Sequence, residues 1–170
     1  MSHAALPIAA RLGLGKDVVP RRLLAAGMAL AMLPDADVVG FAFGVDYADN
    51  LGHRGLTHSL LFAAIAALPV SLLLRTRSRA FAWAYLFFCG ASHGLLDIFT
   101  DGGLGVALLW PFDDSRLFAS VRPIAVSPIG ISAFLSARGW QVLLSELAWI
   151  WSPFMSVGLL IMVARRRARE

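Results

Sequence analysis

Residues 59–74 read SLLFAAIAALPVSLLL, sixteen positions at which only Ser59 and Ser71 are polar. As a helix this run is about 24 Å long, a little short of a hydrocarbon core of about 30 Å. Arg75, Arg77 and Arg79 follow it, and their long stems can reach the interface and close the gap. Ala80 to Thr100 is long enough to return across, with Trp83 and Tyr85 near its basic end as an interfacial belt. Trp140 to Ala164 is a third span, kinked at Pro153 and followed by Arg165, Arg166, Arg167 and Arg169. These runs predict an all-α fold, a polytopic membrane helical bundle.

Working outward, two weaker apolar segments precede them. Ala4 to Leu14 is interrupted only by Arg11, and Leu23 to Leu33 is apolar throughout; both read as half-spanning, tilted or partly buried helices. Val38 to Val45 reads as a re-entrant or interfacial stretch. The whole chain, 1–170, is one domain, with 116–139, rich in Pro, Ser and Gly, as a loop or cap over the site. The apolar share of 58% and mean hydropathy of +0.71 exceed those of a soluble domain, about 45–50% apolar.

A net charge of +4 would suggest nucleic acid in a soluble protein. Here the arginines flank apolar runs, so the partner is the lipid bilayer and no nucleic acid is expected. The single Cys89 cannot form an internal disulfide and reads as a small packing residue. No basic region precedes the first apolar residues, so a cleaved signal peptide is not expected.

The basic clusters at Lys16/Arg21/Arg22, Arg75–Arg79 and Arg165–Arg169 belong on the cytoplasmic side by the positive-inside rule. All four histidines and the principal carboxylates lie at the opposite helix ends. His3 precedes a helix running toward Lys16, and Asp35 and Asp37 follow one that starts near Arg22. His53 and His58 precede the helix ending at Arg75, and His93, Asp97 and Asp101 end the one leaving Arg79. Metal ligands are therefore expected to converge at one end of the helices, on the extracytoplasmic side of the membrane. Ionisable residues are costly in such a chain and mark function.

His93, Asp97 and Asp101 are spaced by four and are expected to form one helical stripe that binds metal, with a buried hydrogen-bonded pair as the competing role. His53 lies in a loop, and Thr57 is expected to cap the helix beginning near His58. Gly55 permits the tight turn between them. Arg54 either clamps a phosphate or pairs with Asp35, Asp37 or Asp49. Imidazoles mixed with carboxylates suit zinc, manganese or iron better than calcium or magnesium. Seven or eight ligands exceed the needs of one tetrahedral zinc, which points to two or three divalent ions.

Leu33-Pro34-Asp35-x-Asp37, His53-Arg54-Gly55-x-Thr57-His58-Ser59, Ser92-His93-x-x-x-Asp97-x-x-Thr100 and Trp110-Pro111-Phe112, with an early histidine at His3, resemble the YdjM family of bacterial inner-membrane metal-dependent hydrolases. The resemblance covers about residues 1 to 115 plus the last span. It implies metal ligation by His3, Asp35, Asp37, His53, His58, His93 and Asp97. Asp101 departs from the pattern and ranks below Asp97 as a ligand; with Arg54 it is expected to act catalytically. More distantly the motifs are similar to the all-helical zinc-dependent phospholipase C and P1-type nuclease group, which implies clustered zinc and phosphoester cleavage. The expected activity is hydrolysis of a phosphoester, lipid or lipid-linked, by metal-activated water. The alternatives are metal binding or transport without hydrolysis, and a membrane protein whose polar residues only cap helices.

Overall fold

The computed structural model describes residues 2–127 and 135–169. Among them the regular structure is helical, apart from isolated bridges joining Thr100 to Ile124 and Val106 to Leu117. The helices are α1 (Ala5–Leu14), α2 (Arg21–Met32), α3 (Leu60–Leu73), α4 (Arg79–Asp97), α5 (Ala137–Glu146) and α6 (Ser152–Arg167). Short 3-10 segments lie at Ser2–Ala4, Leu33–Phe43 and Leu56–His58.

Three elements differ in extent from the sequence-based expectation. α2 runs on through the 3-10 helix as one stretch, Arg21–Phe43, long and apolar enough to cross a membrane. Leu23–Leu33 and the larger part of Val38–Val45, up to Phe43, thus belong to one element. Pro34 stands at the start of the 3-10 segment, and the Ala31 carbonyl three residues before it is bonded by His93 Nδ1. The second such stretch is Ala137–Arg167, in which α5 and α6 are joined by a π-helical turn, Leu147–Trp151. The irregularity expected at Pro153 thus takes the form of a π turn just before it. Only 11% of this stretch's apolar window is buried, so its surface is not that of a helix inside a soluble core. α3 is apolar but only 14 residues long.

The third difference is a cap. Ser59, not Thr57, starts α3, its hydroxyl accepting from the Phe62 N–H at 3.0 Å. The helix begins two residues later than a Thr57 cap would set it, which frees Thr57 for the site. Ser78 caps α4 in the same way, accepting from Phe81 N–H.

α4 is the central element, packed against both α2 and α3, with α1 lying along α6. Leu23, Leu30, Ala31, Ala67, Ala82, Leu86 and Cys89 form the core between the first three. Arg165 Nη1 donates to Leu14 O at 2.8 Å and Arg11 donates to Val19 O. These bonds hold the C-terminal arginines, the end of α1 and the turn before α2 together at one end of the molecule. The histidines lie at the other end of the helices. The loop expected over 116–139 ends at α5, which begins at Ala137; residues 128–134 of that loop lie outside the described residues.

Candidate metal centre

Each helix end brings one part of the site. His3 stands in the turn before α1, Asp35 and Asp37 in the 3-10 continuation of α2, and His58 in the 3-10 turn before α3. His93 and Asp97 occupy the last turns of α4. Two glycines permit the approach. A Cβ on Gly94 would lie 2.3 Å from His58 O, so α4 can rest directly on the His58 backbone. A Cβ on Gly55 would lie 2.2 Å from Asn50 O, which the turn carrying His53 and Arg54 cannot accommodate.

Three overlapping groups can each hold a metal ion: His3/Asp35/His93, Asp35/His53/His58 and His58/His93/Asp97, with ligand atoms within 4.8 Å of one another in each group. His93 Nε2 is 3.3 Å from Asp35 Oδ1. His58 Nε2 is 3.7 Å from Asp97 Oδ2 and 3.9 Å from Asp35 Oδ1. His3 stacks on His93 with ring centroids 3.6 Å apart, and its Nε2 is 3.8 Å from Asp97 Oδ1.

The far side of the rings determines which nitrogen faces the centre. His93 Nδ1 is 2.7 Å from Ala31 O, which can only accept, so Nδ1 carries the proton and the neutral ring's lone pair is on Nε2. His53 Nδ1 donates to Asp37 Oδ1 at 2.7 Å. Thr57 Oγ1 donates to Asp37 Oδ2 at 2.7 Å and accepts from His58 Nδ1 at 3.0 Å. Such outer partners are what orients histidines at metal sites. His58 Nε2 and His93 Nε2 are buried and have no hydrogen-bond partner among the described residues. A buried lone pair without a donor is costly, and a cation supplies what is missing. Burial also lowers the affinity of His58 and His3 for a proton below the ordinary histidine range, which keeps both rings in their ligand form at neutral pH.

The sequence-derived residues therefore divide. His3, Asp35, His53, His58, His93 and Asp97 come together in the metal-holding groups. Asp37 is adjacent but stands behind two of the rings, its oxygens taken by His53 and Thr57. Arg54 is buried with its Nε 3.2 Å from Asp97 Oδ2, and its Nη1 donates to Gly102 O at 2.7 Å. The ion pair is thus with Asp97, not with Asp35, Asp37 or Asp49. Its backbone φ is +65°, a left-handed conformation that non-glycine residues adopt at a cost of about 1–2 kcal/mol.

Asp101 does not extend the stripe. α4 ends at Asp97, and Asp101 accepts from Val126 N–H at 2.7 Å and faces Arg138 Nη2 at 3.2 Å. It is not among the residues that line the pocket, and its carboxylate is engaged by Val126 and Arg138.

The cluster opens into a pocket of about 400 Å³ lined by His3, Asp35, Arg54 and Asp97 on its polar side and by Leu96, Ile124 and Ile150 on its apolar side. Two residues there escaped the sequence reading. Tyr47 packs edge-on against His53 with centroids 5.3 Å apart. Glu146 is a carboxylate inside the last apolar span, and that placement alone could have flagged it. Arg116 braces the loop beneath, donating to His53 O at 3.1 Å and to Asp49 O at 2.9 Å.

The family model described as "YdjM inner membrane protein" matches residues 1–168. The inner membrane protein YbcI of Escherichia coli (strain K12) is 48% identical over 158 residues, covering 91% of each chain. No solved structure matches. With a family match over nearly its whole length and a relative so similar, the chain belongs to the YdjM family of inner membrane proteins.

Proposed function

We propose that this protein is a multi-pass inner-membrane metal-dependent hydrolase that cleaves a phosphoester, with its site on the extracytoplasmic side. The observation that carries the reading is the set of buried imidazoles whose Nδ1 atoms are tied back and whose Nε2 atoms lack a partner, beside Arg54 on an open pocket.

The donor set favours zinc, with manganese or iron as neighbours in preference. His58 and His93 each have one free nitrogen, so each serves one ion. The third group shares one of these rings with each of the other two. The pair that can be filled together is His3/Asp35/His93 with Asp35/His53/His58, which share only Asp35, a carboxylate with two oxygens. This supports two ions rather than three. When bound, paired divalent ions activate water and polarise the oxygens of an in-line displacement at phosphorus.

The chain's own groups do the rest. Arg54, fixed by Gly102 O and Asp97, offers a guanidinium to a phosphoryl oxygen. Asp37 holds the rings of His53 and, through Thr57, His58. The apolar wall of Leu96, Ile124 and Ile150 suits the organic part of the ester, and a lipid or lipid-linked phosphate reaches such a pocket by diffusing in the bilayer.

The test is metal content by elemental mass spectrometry, with hydrolysis of a phosphodiester panel, on detergent-purified wild type and a His58→Ala/His93→Ala variant. Two ions per chain and turnover, both lost in the variant, are expected. A folded, metal-free wild type would overturn the metal centre. Bound metal with zinc uptake into proteoliposomes and no turnover would make the protein a transporter instead.

A further inference from the structure

An apolar helix is a costly place for a carboxyl group, and when one is kept there it marks function. Glu146 is such a group. It ends α5 within the apolar stretch Ala137–Arg167 and is only 8% exposed. No cation lies within ion-pair distance of it among the described residues. Its partner there is the Ser2 hydroxyl, which donates to Oε1 at 2.9 Å. Directly after it the backbone opens into the π turn Leu147–Trp151, an irregularity common at functional sites.

Glu146 lines the same pocket as His3, Asp35, Arg54 and Asp97 but belongs to none of the metal-holding groups. It enters from the C-terminal helix, whereas the ligands come from the first four helices and their turns. A carboxyl without a cationic partner among the described residues, sharing a pocket with the candidate metal ligands, is placed for proton transfer rather than for ligation.

We propose that Glu146 donates the proton to the leaving-group oxygen when the phosphoester is cleaved. The proposal rests on the hydrolase reading above. As the bond between phosphorus and the leaving oxygen breaks, its electron pair passes to that oxygen. The Glu146 proton, carried on Oε2 because Oε1 is held by Ser2, moves to the same oxygen and an alcohol departs. The water that adds to phosphorus releases one proton to solvent, and the Glu146 carboxylate takes one back.

A proton donor matters most for a poor leaving group, and that separates it from a structural role. The full chain, loaded with zinc in detergent, is assayed on a phosphodiester releasing a primary alcohol and on one releasing 4-nitrophenolate. Glu146→Gln keeps size and the acceptor for Ser2. It is expected to cut kcat/KM by about 10²–10⁴-fold on the alkyl ester and by less than about tenfold on the nitrophenyl ester, with metal content unchanged. Glu146→Asp, still an acid, is expected to recover part of the alkyl-ester rate. Equal losses on both esters, no loss on either, or loss of zinc would overturn the role of Glu146 and leave the hydrolase reading standing. A zinc-loaded wild type that cleaves neither ester would overturn both.

Discussion

Asp37→Asn tests whether the carboxylate behind the rings sets the metal affinity. In the wild type one carboxylate accepts from His53 Nδ1 and from Thr57 Oγ1, and Thr57 in turn accepts from His58 Nδ1. An asparagine of the same shape has one accepting oxygen, and its amide N–H₂ confronts a donor on the other side. Either the His53 proton or the Thr57 proton loses its acceptor. Hydrogen bonds to a charged group are worth about 1.5–3 kcal/mol against about 0.5–1.5 for neutral ones. Taking about 1.5 kcal/mol for a bond to the carboxylate and about 1 for its neutral replacement, weakening one bond and breaking the other costs about 2 kcal/mol. Expressed as metal affinity this is about 30-fold, within the 10–100-fold typical of losing an outer partner of a metal-bound histidine. The assay is zinc competition against a chromophoric chelator at fixed pH, with exposed Asp113→Asn as control and circular dichroism to verify the fold. Affinity within twofold of wild type would refute the argument that Asp37 orients and polarises the rings.

Three further outcomes are expected. Gly94→Ala forces a methyl group to within 2.3 Å of the His58 carbonyl, so α4 must shift. A stability loss of about 1–3 kcal/mol and reduced zinc binding are expected, read by thermal melting and metal content. Asp101→Ala removes, among the described residues, side-chain contacts to Val126 and Arg138 and should leave zinc stoichiometry at the wild-type value, which elemental analysis of the purified variant checks. In intact cells a membrane-impermeant thiol reagent should label Asp49→Cys and spare Thr76→Cys, because the site and the basic loop lie at opposite helix ends; protection of position 49 with labelling of 76 would invert the orientation.

The helical class and the location of the polar residues at helix ends were legible in the sequence. Long apolar runs in a chain with few charges leave the backbone little choice but to satisfy its hydrogen bonds within helices. Arginines after Leu74 and Ala164, against histidines before Ser59 and near Thr100, gave direction to each run. That local logic sufficed to gather His3, Asp35, His53, His58, His93 and Asp97 at one end. It failed wherever a residue's role depends on a distant segment. Asp37 and Asp35 look equivalent in an Asp-Ala-Asp string, and only the return of His53 and Thr57 makes one an outer partner. Asp101 continues a spacing of four on paper, but α4 stops at Asp97, and Val126 and Arg138 claim it. Glu146 stands out in the sequence as a carboxylate in an apolar span, but its partner Ser2, 144 positions earlier in the chain, and its place on the pocket wall come from the fold. Periodicity and hydropathy are properties of neighbours along the chain, and so the sequence alone determined helices, their direction and the end at which ligands gather. Which atom of each ligand faces the centre is set by hydrogen bonds between segments far apart in sequence, and only the tertiary structure decided that.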